Sequence, residues 1–282
     1  MAIKLTADRM IDLPKTELQN MGVSTISCYI NMAGQSFSDL DDVFPEDVFR
    51  QFERRRELAK TAAKSPEQYC EFFEQFTKNG DTVIHFAASG GISAICSNAQ
   101  IAAQKLGRVF VVDTLTLSNG IALLVSFAAA LIANGETDAE KIYVQCLAKR
   151  EKVKAMFIIE TLDYLYKGGR CSGMQLFGAN LLKIRPVIAM DSDGKMRIRE
   201  KLRGNYRRAI AKYIENTFQK YPDADPSLLY IMHFCDDETT NSFLLAEVAK
   251  HRQFERVLFN PGSCNCAVHS GRNTVGLFFC VK

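Results

Sequence analysis

The stretch TVIHFAASGGISAICSNA, residues 82–99, joins a β-branched apolar run to a helical segment through a turn with two glycines. Thr82–Ala87 is typical of a buried strand, and Gly90 and Gly91 mark a turn because glycine is costly inside a strand or helix. The helix is expected to begin near Ser93. A strand that feeds a helix in this way is the building unit of a mostly parallel sheet.

The same alternation continues on both sides of this unit. Strands are predicted at Ile3–Asp8, Ser24–Met32, Arg108–Thr114 and Lys154–Glu160. Helices are predicted from Asp12 and Pro14 to Gly22, from Ser65 to Gly80, from Ser93 to Gly107, from Ser118 and from Thr137. Strands separated by helices need crossover connections, so the first half is predicted to be an α/β lobe with a mostly parallel sheet.

The second half of the chain has a different pattern. RPVIAMDSDGKMRIREK, residues 185–201, has two alternating runs around DSDG and predicts an antiparallel hairpin. A helix, a strand, a second helix and two final strands are predicted after it, at residues 205–219, 227–235, 238–251, 256–260 and 274–281.

These two patterns predict two lobes. We place the boundary near Lys152, which gives an α/β lobe at residues 1–152 and an α+β lobe with a mixed sheet at 153–282. The sequence also allows part of residues 45–80 to pack on the second lobe. The cleft between the lobes is the expected ligand site.

The composition restricts the class of protein. The chain has 282 residues, 47% of them apolar, which is enough for one large core or two modest ones. Lys and Arg number 35 against 32 Asp and Glu, and a net charge of +3 argues against a general nucleic-acid binder. The N-terminus MAIKLTADRM lacks the pattern of a secretory signal, so a cytoplasmic protein is expected. The longest apolar run, Gly120–Ala133, is too short to span a membrane and predicts a buried helix.

The cysteines do not indicate a metal site or a disulfide framework. There are nine, without a C-x-x-C pair, which favours reduced thiols. Cys264 and Cys266 near His269 suggest a metal, but structural zinc needs four well-spaced ligands. On a strand these two cysteines share a face, so a pair of small buried thiols explains them as well. No metal or cofactor is expected.

Three stretches carry polar side chains that are suited to a binding site. Thr61 lies in KTAAKS, Ser93 lies at a helix start where backbone N–H groups and the helix dipole attract anions, and His269 precedes Gly271 in AVHSGRNTVG. We expect all three in loops at strand ends, where open α/β sheets bind ligands.

Two alternative roles for Ser93 remain open at this point. GISAI resembles the nucleophile elbow of serine hydrolases, with Ser93 and His269 as nucleophile and base, although Ile95 replaces the final glycine. Ser93 is otherwise an ordinary helix cap. In the segment KGGR, Gly168 and Gly169 indicate a turn that aims Arg170 at the cleft mouth or at a partner, unless the segment is a solvated loop.

Several motifs occur together in one order: TADRMIDLP, SGGIS, VVDTLTLSNG, LDYLYKGGRCS, LLKIRPVI, KLRG and HSG. With this set the chain resembles the DegV family of bacterial fatty-acid-binding proteins over nearly its whole length. The resemblance implies a two-lobe fold that holds one long-chain fatty acid in an apolar tunnel and has no catalytic activity of its own. It also implies that the acid is presented to a separate fatty acid kinase, for phospholipid metabolism, and it allows transient membrane contact. A regulator whose ligand is only a signal is a further alternative.

The resemblance also assigns residues. It implies that the hydroxyls of Thr61 and Ser93 and the imidazole of His269 hold the carboxylate. The other ligand-binding residues that it implies are Ser89, Gly91, Arg170 and Gly271. The chain departs from the family's pattern at Gly90, Ala94, Arg272 and Asn273, which bears on the geometry of the headgroup site.

Residues 195–212 hold eight Lys or Arg and a single acid, Glu200. If the first part is a regular strand, one face carries Lys195, Arg197, Arg199 and Lys201, and the other carries Met196, Ile198 and Leu202. A solvated strand face explains this pattern. The resemblance suggests instead that Arg199, Lys201 and Arg203, together with Arg170, dock the kinase.

Overall fold

The computed structural model describes residues 2–170, 184–235 and 237–282. The strands in these ranges are β1 (Ile3–Asp8), β2 (Val23–Ile26), β3 (Tyr29–Met32), β4 (Gln35–Ser38), β5 (Lys60–Ala62), β6 (Thr82–Ala87), β7 (Val109–Asp113), β8 (Val153–Ile159), β9 (Ile184–Met190), β10 (Met196–Arg203), β11 (Leu229–His233), β12 (Val257–Asn260) and β13 (Thr274–Cys280). A 3₁₀ turn spans Arg9–Ile11, and the α-helices are α1 (Lys15–Asn20), α2 (Pro45–Arg55), α3 (Pro66–Thr77), α4 (Ile95–Leu106), α5 (Asn119–Ala133), α6 (Ala139–Arg150), α7 (Asp163–Gly168), α8 (Tyr206–Lys220), α9 (Glu238–Ala249) and α10 (Cys264–Ser270).

The N-terminal half contains a four-stranded parallel sheet in the order β2-β1-β6-β7. Every residue of β6 after Thr82 is buried, as expected for an interior strand with helices packed on the sheet. The predicted α/β class and parallel sheet are therefore confirmed, and β6 has the predicted bounds. The helix predicted from Ser65 also begins there, because the Ser65 hydroxyl accepts a hydrogen bond from the Gln68 N–H at 3.4 Å.

The C-terminal half contains a six-stranded mixed sheet in the order β10-β9-β8-β13-β11-β12. The predicted hairpin is present, since β9 and β10 pair antiparallel on either side of the turn at Asp191–Gly194. Strand β8 pairs antiparallel with both β9 and β13, while β11 and β12 are parallel. The mixed second sheet is thus confirmed.

Helix α5 lies between the two sheets. It contacts β1 and β6 on one side and β8 and β13 on the other. This explains why its sequence is apolar all round: Ile121, Ala122, Leu124 and Val125 are fully buried. The predicted buried helix is confirmed, and among the described residues no helix has the length and apolarity that a membrane span requires.

A small antiparallel sheet in the order β4-β3-β5 differs from the sequence prediction. The single strand predicted over residues 24–32 is wrong, because the chain leaves the parallel sheet after Ile26 and β3 pairs with β4 and β5. Helix α2 contacts α10, and their apolar side chains share a cluster with the small sheet. This cluster joins an N-terminal segment to the residues that precede β13.

A β-bulge in β10 reverses the predicted alternation of its side chains. Ile198 is opposite Ile188 but Glu200 is opposite Val187, so Arg199 is an extra residue in the strand. As a result Ile198 packs on the core between the two sheets, whereas Leu202 packs on the core beneath α8 and α9. The predicted face with four aligned charges is therefore wrong; after the bulge, the exposed Lys201 and Arg203 lie two residues apart on one face.

Candidate ligand-binding site

A cavity lies against residues from both halves of the chain, with about 560 Å³ of space that includes some open solvent. Its apolar wall consists of Met10, Ile92, Leu117, Phe157, Leu165, Met196 and Met232. Its polar wall consists of Thr61, Ser93, Arg170, Asn265, Cys266, His269 and Ser270. The cavity is therefore amphipathic.

Thr61 and His269 meet at this cavity although they are 208 residues apart in the chain. The Thr61 Oγ1 lies 3.0 Å from the His269 Nε2. His269 is 8% exposed, and its Nδ1 has no hydrogen-bond partner among the described residues. Thr61 lies on β5 and His269 on α10, so the prediction that both lie in loops is wrong; the pairing of β5 with β3 and the packing of α10 on α2 bring them together.

Two buried carboxylates hold the start of α10. Asp12 accepts hydrogen bonds from the Ser118 hydroxyl at 2.5 Å and the Ser263 N–H at 2.9 Å. Asp39 accepts from the N–H groups of Cys264 and Asn265 at 2.8 and 3.0 Å. These aspartates were not among the candidates from the sequence. Asp12 has a left-handed backbone with φ 56°, a conformation for which aspartate is enriched, but a sequence does not reveal that its carboxylate is buried.

The cysteine pair near His269 has a structural role. Cys264 and Cys266 lie on α10, so the alternative that places them on a strand is wrong, although both are buried. The Cys264 Sγ is 3.1 Å from the Val43 carbonyl oxygen, and the Cys266 Sγ is 3.3 Å from the Asp12 Oδ2. No group of three or more potential metal ligands is found among the described residues.

The consecutive glycines before Arg170 are needed for different reasons. A Cβ on Gly168 would lie 2.5 Å from the His269 Nδ1, so only glycine lets the imidazole pack there. Gly169 ends α7 with φ 66°, a left-handed conformation that favours glycine. The Arg170 Nη1 donates to the Gly168 carbonyl at 2.6 Å, and Arg170 lines the cavity beside His269.

Ser93 lines the cavity just before α4. Its Oγ accepts a hydrogen bond from the Ile95 N–H at 3.3 Å, and Ala94 occupies the cap position of the helix. The hydrogen-bond partner of the Ser93 hydroxyl is thus a backbone N–H group at the start of α4. The Thr61 hydroxyl occupies the His269 Nε2, so Ser93 and His269 do not form the hydrogen-bonded pair that a serine nucleophile and its base require.

Ser89 and Gly91 lie beside the cavity but do not line it. The Ser89 Oγ donates to the Gly194 carbonyl at 2.7 Å and accepts from the Gly91 N–H at 3.1 Å. A Cβ on Gly91 would lie 2.6 Å from the Gly194 oxygen. The two residues therefore attach the parallel-sheet side to the turn of the β9–β10 hairpin, and their contact with a ligand stays a prediction.

Gly271 and the two residues that follow it, Arg272 and Asn273, also lie outside the cavity wall. Gly271 has φ 80°, and a Cβ there would lie 2.6 Å from the Tyr164 ring. Arg272 donates to Glu46 and Glu53 of α2 at 2.8 to 3.2 Å. Asn273 donates to the Glu160 carboxylate at 2.5 Å. These bonds tie the end of α10 to α2 and to the end of β8.

The electrostatics of the site follow from burial. Burial, with a contribution from the Arg170 charge, lowers the pKa of His269 from 6.5 to about 4, so the imidazole is neutral at pH 7. Burial raises the pKa of Asp12 to about 6, against the opposing effect of its hydroxyl and N–H donors. The described part of the wall thus offers neutral hydrogen-bonding groups beside the permanent cation Arg170.

The fold and the cavity define the class as an α/β protein that has two sheets and an amphipathic cavity lined by residues from both halves of the chain. A family profile described as "Uncharacterised protein, DegV family" matches residues 2–282. The chain belongs to the DegV family.

The chain is similar to several relatives along nearly their whole length. It is 25% identical to a DegV domain-containing protein of Caldanaerobacter subterraneus subsp. tengcongensis over 98% of both chains. It is 28% identical to the "Fatty acid-binding protein" of Thermotoga maritima, over 98% of this chain and 96% of that one. The solved structure described as "Fatty Acid Binding of a DegV family Protein from Thermus thermophilus" covers 100% of both chains with a TM-score of 0.90 and 26% identity.

We expect the replacement His269→Gln to remove an acid-dependent loss of stability. The imidazole pKa is 6.5 without the fold and about 4 within it, so the folded state binds fewer protons between these pH values. The contribution of His269 is fully present above pH 6.5 and is lost as the pH falls through 4, by about 3 kcal/mol in total. The measurement is the difference in the free energy of unfolding between the two proteins at pH 7 and at pH 4.

The free energy of unfolding of the variant must be compared with that of the wild type at each pH. The titration of Asp12 changes the stability with pH in the opposite direction to that of His269. The raised pKa of Asp12 makes its contribution largest at low pH and removes it as the pH rises through about 6. The exposed His251→Gln serves as the matched control and should keep the wild-type pH dependence. An identical pH dependence in His269→Gln and wild type would contradict the assignment.

Proposed function

We propose that this chain binds one long-chain fatty acid in the cavity, with the carboxylate against Thr61, Ser93 and His269. The observation that supports this most is the Thr61–His269 pair at the wall of a cavity whose other side is apolar. Similarity to the fatty acid-binding proteins of Thermotoga maritima and Thermus thermophilus supports the same ligand class.

The apolar wall supplies the main part of the affinity. Burial of each methylene contributes about 0.8 kcal/mol, so a long acyl chain binds strongly through non-directional contacts. The strand register supports a place for the acyl chain at this wall: Gly276 pairs with Phe157 on one side and with Met232 on the other, and Phe157 and Met232 both line the cavity.

The carboxylate needs donors, because a buried carboxylate without them is very costly. A neutral His269 can donate its Nε2 hydrogen to the Thr61 Oγ1, which leaves the Thr61 hydroxyl hydrogen for the ligand. The Ser93 hydroxyl is a second donor. Arg170 adds a positive charge at the same wall without requiring His269 to be protonated. The bound carboxylate should in turn raise the His269 pKa.

The first test is the mass of the protein with and without denaturation. We expect native mass spectrometry of protein purified from bacteria to show a mass excess that matches one intact long-chain fatty acid and disappears on denaturation. A fluorophosphonate probe should leave Ser93 unlabelled. Labelling of Ser93 together with loss of the fatty acid on turnover would instead establish the serine hydrolase alternative.

The second test concerns the carboxylate donors. Ser93→Ala should weaken fatty acid binding by about 1.5 to 3 kcal/mol, the usual loss for a hydrogen bond to a charged group. Thr61→Ala should have a similar effect, and the double variant should lose less than the sum because both hydroxyls serve one headgroup. Ser97→Ala is the matched control, since Ser97 is exposed on α4 and bonds the Ala94 carbonyl. Wild-type affinity in folded Ser93→Ala would exclude Ser93 from the site.

We further propose that a fatty acid kinase docks near the carboxylate end of the cavity. Strands β8 and β10 both pair antiparallel with β9, so their C-terminal ends lie at the same edge of the sheet. Arg203 stands at that edge, and α7 and Arg170 follow from the end of β8. Arg199, Lys201 and Arg203 are exposed, and their positive charge suits an acidic partner surface.

The docking proposal predicts a salt-dependent defect. Replacement of Arg199 and Arg203 by Glu should lower kcat/KM for phosphorylation of the bound acid about tenfold at low ionic strength and flatten its salt dependence. Fatty acid affinity should not change. The matched control is Lys78→Glu with Lys105→Glu, two charge reversals at exposed positions, one directly after α3 and one on α4. Equal activity of the reversed and wild-type proteins at low salt would show that β10 carries a solvated face and no docking site.

A further inference from the structure

Three methionines line the apolar wall, and each belongs to a different part of the fold. Met10 lies in the 3₁₀ turn after β1, Met196 begins β10, and Met232 lies in β11. All three are buried, with 6%, 7% and 2% of their surface exposed. We call these residues the methionine wall.

The strand register places two of these methionines, Met232 and Met196, along the cavity. Met232 is level with Phe157, since both pair with Gly276. Met196 is opposite Met190, and the adjacent Ala189 is opposite Met156, so Met196 is level with the first half of β8. His269 and Arg170 lie beyond the other end of β8, from which α7 leads to Arg170. At about 3.3 Å per residue, the level of Met196 is roughly 15 Å along the sheet from the end of β8.

The backbone of each methionine is fixed by its surroundings. Met10 precedes Asp12, whose carboxylate is bonded to Ser118 and Ser263. Met196 follows the hairpin turn that the Ser89 hydroxyl holds through the Gly194 carbonyl.

The third backbone is fixed by the sheet itself. Met232 lies in β11, between β12 and β13. Any adjustment of this wall to a ligand must therefore come from the side chains.

Methionine is the residue best suited to such adjustment. It is unbranched, has three rotatable side-chain bonds and fills irregular space with a polarisable thioether. The Met232 side chain packs beside two glycines: a Cβ on Gly262 would lie 3.0 Å from its Sδ and 2.8 Å from the Phe234 ring, and a Cβ on Gly276 would lie 3.6 Å from its Cε and 2.7 Å from the Phe278 ring. In contrast, Leu117 and Phe157 have fewer side-chain torsions with which to follow a ligand.

We propose that the methionine wall sets the acyl specificity of the site by accepting straight saturated and bent cis-unsaturated chains with similar affinity. This inference rests on the proposed fatty acid binding. A rigid wall of the same volume would favour one chain shape. The three methionines would be the specificity-determining residues, while Thr61, Ser93 and His269 hold a headgroup that is the same in every fatty acid.

The test compares two ligands that differ in shape alone, octadecanoate and cis-9-octadecenoate, on delipidated protein. Their Kd values for the wild type should agree within about threefold. In the triple variant Met10→Leu, Met196→Leu, Met232→Leu the ratio of the two Kd values should change by about tenfold, the limit for volume-conserving swaps. Met156→Leu is the matched control, because Met156 is buried on the opposite face of β8 from Phe157.

The outcomes separate the two proposals. An unchanged Kd ratio in a triple variant with the wild-type melting temperature overturns the role of the methionine wall, and so does tenfold discrimination by the wild type itself. If the triple variant is unfolded, Met196→Leu alone is measured against the same criterion. Failure of the wild type to bind either acid would contradict the proposed function instead.

Discussion

The requirement that buried carboxylates receive hydrogen bonds determines where the site forms. Asp12 and Asp39 are almost fully buried, and a carboxylate in such a place is tolerated only with several donors. Their donors include the N-terminal N–H groups of α10. Because α10 is only seven residues long, fixing its start also fixes His269 near its end. His269 then reaches Thr61, so a site between distant segments follows from satisfying two aspartates.

Much of the fold could be predicted from local patterns, and the errors have identifiable causes. The parallel sheet and the β9–β10 hairpin follow from alternation and turn residues, which act over short ranges. The break after Ile26 was missed because the run up to Met32 is uniformly suited to a strand, and only the pairing partners divide it. The bulge at Arg199 is likewise defined by the neighbouring strand β9 and not by residues of β10.

The candidate site shows the same division between local and non-local information. The sequence indicates a turn at Gly168 and Gly169, but the need for glycine at the first position comes from the imidazole of His269, a hundred positions later. Ser89 and Gly91 were expected at the ligand because they lie in a glycine-rich turn. In the structure both residues contact the turn of the β9–β10 hairpin. Contacts between the two halves of the chain, which the sequence does not reveal, decide which polar residues of a motif remain available to a ligand.

In the proposed complex the two ends of the ligand are held by different kinds of force. The acyl chain gains stability through apolar contact with side chains that can adjust, in proportion to the area buried. The carboxylate is held by neutral donors, each worth a modest amount, with Arg170 as the adjacent charge. Because affinity depends mainly on the chain, the headgroup can be exchanged or modified without loss of the ligand. A lysine or arginine at the position of His269 would hold the carboxylate in a buried ion pair. Such a pair is costly to break, so it would oppose delivery of the acid to a partner.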